Sequence, residues 1–91
     1  MKHAVVALLL LMAAPVAAQD CFADYKAKQN APLRLHYGVA KLANCAPAAA
    51  RAELSVRLQA QGWTLLTVLS IFGPEGLAER KESAGANFLR Y

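Results

Sequence analysis

The sequence predicts a small α+β domain, a sheet of three or four strands with two helices in the order β-β-α-β-α-(β). Three observations carry this. Residues 33–42 alternate in the two-residue period of a strand. A proline-opened, glycine-closed stretch from Pro47 to Gly62 repeats its apolar residues at helical spacing. Trp63 to Phe72 is the most apolar run outside the N-terminus and is rich in strand formers.

The chain begins with a secretory signal peptide, read over residues 1–18. Lys2 and His3 precede an unbroken apolar run from Ala4 to Ala14, Pro15 breaks it, and Val16-Ala17-Ala18 offers small residues for cleavage before Gln19. Such a run spans roughly 16 Å as a helix, about half a hydrocarbon core, so a membrane span is not expected in the mature form. Cys21 follows Asp20 and lacks the small residue that lipoprotein processing requires immediately before the cysteine. Residues 19–91 then form one domain, addressed to the periplasm or the exterior. Of the chain's charged residues, nine Lys and Arg against six Asp and Glu lie beyond residue 18, leaving +3. That balance is mild and dispersed along the sequence, which argues against a nucleic-acid partner.

So small a domain has a marginal core and gains from a covalent staple. Cys21 and Cys45, sent to an oxidising compartment, are expected to form a structural disulfide. A reactive redox pair would more often stand as C-x-x-C.

Within the first strand pair, Leu33, Leu35, Tyr37 and Val39 are assigned the core face, and Arg34 and His36 the opposite one. Segment 21–28 alternates like a strand but has helix-favouring Ala, Lys and Gln. A hairpin of 22–28 on 35–42 would carry Cys21 to Cys45, and this favours the strand. Ala50, Leu54 and Leu58 form the buried stripe of the helix, with Ala49, Ala52, Val56 and Ala60 outside. Strand 63–72, apolar on both sides, is expected at the centre of the sheet. Residues 75–84 read as a second helix with Leu77 and Ala84 inward and Glu79, Arg80, Lys81 and Glu82 outward, and 87–91 as an edge strand or docked tail.

The segment Ala60-Gln61-Gly62-Trp63-Thr64-Leu65-Leu66 resembles small bacterial domains of unknown function in which a helix ends in A-x-G-W-x-L before a central strand. The early cysteine, Tyr-Lys-Ala-Lys, Pro-Leu-Arg-Leu-His-Tyr-Gly-Val and the closing Phe-Leu-Arg-Tyr are similar to small exported proteins of alphaproteobacteria. The resemblance implies structural roles for Gly62 as helix stop and Trp63 as core anchor, beside Tyr37 as packing, and brings no catalytic residue.

Arg34 and His36 are the candidate binding residues. Two positions apart on one strand face, they stand about 6.5–7 Å from each other and could hold a carboxylate or phosphate between a guanidinium fork and a titrating imidazole. The plainer alternative is a solvated strand face. Catalytic readings have little to draw on. A triad would need His36 with Ser55, Ser70 or Ser83, none in a nucleophile elbow. One histidine and two bridged cysteines leave a zinc site without ligands, and Gly73-Pro74-Glu75-Gly76 lacks the residues of a phosphate loop. No cofactor and no metal is expected.

The leading expectation is an exported, non-catalytic interaction module. It would bind a protein or small anionic ligand of the envelope through Arg34 and His36, or self-associate over strand 63–72. The alternatives are a small periplasmic enzyme dependent on His36, and an inhibitor of a secreted enzyme acting through the loop Gln29-Asn30-Ala31-Pro32.

Overall fold

The computed structural model describes residues 20–91; the predicted signal peptide lies outside them. Strands β1 (Cys21–Gln29), β2 (Arg34–Leu42) and β3 (Thr64–Phe72) form one sheet in the order β2-β1-β3. Both pairings are antiparallel. Helix α1 (Pro47–Gln59) connects β2 to β3, and a short 3₁₀ turn over Pro74–Gly76 leads into helix α2 (Ala78–Ala84). The α+β class and the order of elements are those predicted.

The hairpin forms as geometry required. Cys21 pairs with Leu42 at one end and Gln29 with Arg34 at the other. Cys45 therefore comes back beside Cys21, and the two are bonded with their Cα atoms 5.9 Å apart.

The central strand is β1, not the apolar β3. β1 is buried on both faces from Cys21 to Tyr25. Cys21, Ala23, Tyr25 and Ala27 turn toward α1, and Phe22 and Asp24 toward α2. β3 is an edge strand, and its pairing with β1 slips twice, around Leu69 and Leu66. Each slip adds a residue to β3 and shifts the alternation. Leu65, Val68 and Ile71, three apart, consequently share the α1 side, while Leu66 and Leu69 stay 44% and 48% exposed. In a regular strand those five residues would look apolar on both faces, and that is why β3 read as central.

β2 is turned over relative to its expected orientation. Ala40 and Leu42 pack under α1, whereas Tyr37 and Val39 lie on the α2 side. Leu33 and Leu35, assigned to the core, are 66% and 68% exposed. The deciding residue is Gly38, which faces α1 because the ring of Tyr25 lies directly across it.

α1 starts at Pro47 and buries the predicted stripe Ala50, Leu54 and Leu58. Its end is a Schellman turn. Gly62 takes φ +83°, its N–H donates to Gln59 and that of Trp63 to Leu58. Leu58 and Trp63 then meet in the same core cluster, the apolar contact that accompanies this motif. Gly62 thus stops the helix, and Trp63 packs, partly buried, against the core. The closing segment is not a strand. It makes a 3₁₀ turn over Gly85–Asn87 and a single parallel bridge from Phe88 to Val39.

Candidate functional site

Two polar clusters and one open groove lie on the sheet. The first cluster is built around His36. Its Nε2 is 3.0 Å from the Tyr25 hydroxyl, its ring meets Trp63 edge-on at 4.3 Å, and Tyr91 stacks on it at 5.5 Å. β2 supplies the histidine, β1 the tyrosine, and the Schellman turn sets the tryptophan. Arg57 of α1 holds the Tyr91 main-chain oxygen, which keeps the last ring in place.

Nδ1 of His36 is buried without a hydrogen-bond partner. Burial, with Arg90 nearby, pulls the imidazole below its ordinary value, and burial drives the Tyr25 phenol well above its own. A neutral imidazole beside a protonated phenol makes a packing pair. No carboxylate contacts His36 among the described residues.

Arg34 is exposed and makes no hydrogen bond or ion pair among the described residues. No contact joins it to His36. The pair picked from strand periodicity is therefore divided in environment, one member in solvent and the other in an aromatic cluster.

Because His36 takes up a proton less readily folded than unfolded, stability is greatest above the unfolded value of about 6.5 and declines as pH falls below it, down to the lower folded value. Denaturant unfolding at pH 7 and pH 5 should show this loss in the wild type. His36→Phe, which keeps the ring and removes the proton, should abolish the difference; an unchanged difference would contradict the assignment.

The second cluster was not anticipated. Asp24, a charged residue in the middle of β1, is 7% exposed. It accepts hydrogen bonds from Tyr37 at 2.9 Å, Ser70 at 2.6 Å and Arg80 Nε at 3.1 Å. Burial would raise this carboxyl, but the donors from Ser70, Tyr37 and Arg80 outweigh it and hold it low. The Tyr37 phenol is pushed up to about 12 by burial and by its bond to Asp24.

Arg80, expected to point outward, instead turns in. Its guanidinium sits 4.0 Å from the Phe72 ring centroid and also bonds the Gly76 carbonyl and Glu79. All three strands and α2 meet at this network. Tyr37 packs, partly buried, on the α2 side. The only available signal was the acid itself: a carboxylate in mid-strand with two arginine-bearing helices downstream has a reason to be there.

The groove runs over the α2 side of the sheet. A hollow of about 490 Å³ borders Asp24, Lys26, Tyr37, Leu69, Glu79 and Arg80. A second, of about 280 Å³, borders Lys26, Leu35, His36, Tyr37 and Leu66. Lys26 and Tyr37 belong to both. α2 covers this face at the Phe22–Phe72 end, and the hairpin end is left open.

Among the described residues no group of three or more His, Cys, Asp and Glu converges as a metal site, and no helix is long and apolar enough to cross a membrane. No protein-family model matches the chain, and no curated protein or solved structure matches it either.

Proposed function

We propose that the protein is an exported, non-catalytic interaction module that meets its partner with the open half of the sheet's α2 side. The observation that carries this is a basic and aliphatic surface with no cover. Leu35, Leu66 and Leu69, 44% to 68% exposed, border the hollows beside Lys26 of the central strand, and Leu33, 66% exposed, stands at the hairpin tip. Apolar side chains grouped in this way on a small domain mark a contact surface. Export is supported by the N-terminal pattern of charge, apolar run and small residues, and by a disulfide suited to an oxidising compartment.

The arrangement of His36 supports a structural use of that residue rather than the catalytic alternative. A general base needs an orienting partner. His36 has the phenol of Tyr25 and two aromatic rings instead.

Site-specific photocrosslinking in intact cells tests the proposal. A benzophenone amino acid at Leu35 or Leu66 should give adducts, of whatever chemical class, that the same probe at the exposed helix position Val56 does not. Equal labelling at all three positions would refute it.

A further inference from the structure

The open surface has a charge pattern that narrows its partner. From Tyr25 to Ala52 the sequence contains no Asp or Glu, but it does contain Lys26, Lys28, Arg34, Lys41 and Arg51. Lys26 and Lys28 share the α2 side of β1. Their cross-strand neighbours are Tyr37 and Thr67, and Leu35 and Thr64, so no carboxylate stands opposite either ammonium. Asp24, the acid on the same strand face, is already engaged by Tyr37, Ser70 and Arg80, and Glu79, which borders the hollow beside Lys26, is paired with Arg80. Neither lysine makes a hydrogen bond or ion pair among the described residues, which leaves two cations on the central strand for an outside anion.

The apolar groups flank these lysines, with Leu35 and Leu66 on the rim of the hollow beside Lys26. Leu33 lies at the hairpin tip, Leu35 follows on β2, and Leu66 stands on the far edge strand. Leu33 and Leu35 are as exposed as any large apolar residue described. A folded partner would need a matching shape for separated leucines. A lipid interface needs none, since acyl chains accommodate side chains wherever they enter and phosphates accept the ammonium groups beside them.

We propose that this face docks on an anionic lipid surface, with Leu33, Leu35 and Leu66 entering the headgroup boundary and Lys26 and Lys28 meeting phosphate groups. This rests on the reading that the open face is the working surface. The contact is peripheral: leucines enter to the depth of the headgroups, and the α1 side stays in water.

Vesicle co-sedimentation tests it, using the protein purified as the cell processes it. Binding should be seen with vesicles containing phosphatidylglycerol, should weaken with added salt, and should be much lower on pure phosphatidylcholine. Lys26→Ala with Lys28→Ala should lower the partition coefficient about 10- to 30-fold, and Leu33→Ser with Leu35→Ser roughly 10-fold. Arg51→Ala with Val56→Ser, on the helix side, should leave it unchanged, and thermal melting confirms that each variant is folded. No binding, equal binding to neutral vesicles, or an equal loss in the helix-side variant overturns the lipid assignment. Protein adducts from Leu35 or Leu66 in cells, together with absent vesicle binding, would reject the lipid and keep the interaction module. Absence of both would reject the module as well.

Discussion

Breaking the Cys21–Cys45 bond should lower the unfolding free energy by roughly 3.5 kcal/mol, the loop-closure value for a ring of about 25 residues. For a domain of this size that corresponds to a fall in melting temperature of roughly 15–25 °C. The bond links the first residue of the central strand to the loop that feeds α1, so it restrains the hairpin and the start of the helix together. Calorimetry with and without a reductant, and of the Cys21→Ser, Cys45→Ser double variant, measures the effect. A change below about 1 kcal/mol would mean that the reduced chain is already restrained in its unfolded state.

The second large effect centres on Tyr25 and Gly38. Tyr25 is fully buried, and its ring covers the glycine opposite it. A Cβ on Gly38 would strike the Tyr25 hydroxyl oxygen and lie 2.6 Å from Cζ. The ring has nowhere to move, with Leu54 and Leu58 in the same core cluster. Gly38→Ala should cost about 1–3 kcal/mol by overpacking, and should also separate Tyr25 from His36. Tyr25→Ala, which empties the site, should cost about 3–5 kcal/mol. The two changes should couple. With Tyr25→Leu already present, adding Gly38→Ala should cost much less than it does alone, because the ring it strikes is gone. Additive effects in chemical denaturation would show that the contact does not govern β2. The His36 resonance should shift in Gly38→Ala and report the lost hydrogen bond directly.

That contact also explains which parts of the structure could be read from the sequence. Elements with local signals were legible: Pro47 and Gly62 bracket α1, and Ala50, Leu54 and Leu58 mark its buried stripe. The disulfide followed from two cysteines in a small domain with an export signal, and the hairpin from the need to join Cys21 to Cys45. What failed depended on non-local packing. Alternation shows that Leu35 and Tyr37 share a face, but not which face the helix will take. Only the fit of Tyr25 over Gly38 decides that. The two slips in β3 are equally invisible, since they arise from its pairing with β1.

The candidate site was less legible than the fold. Arg34 and His36 were selected for chemistry and periodicity, and one of them belongs to an aromatic cluster. Asp24 and Arg80 are far apart in the chain and look like ordinary surface charges until the strand order brings them together. The open basic surface was obscured for a related reason. Charge that is mild over the whole domain is concentrated at one end of the folded sheet, because the acids of Glu75, Glu79 and Glu82 all fall in or near α2.

The strand order has a consequence for biogenesis. β1 is made first and pairs on its second side only with β3, which is made near the end. An isolated two-stranded hairpin is marginal in water. A nascent chain that stops short of β3 can lay α1 over that hairpin, but the second side of β1 stays an unpaired edge. The sheet is completed only when β3 arrives, and until then its central strand is open to pairing with another chain.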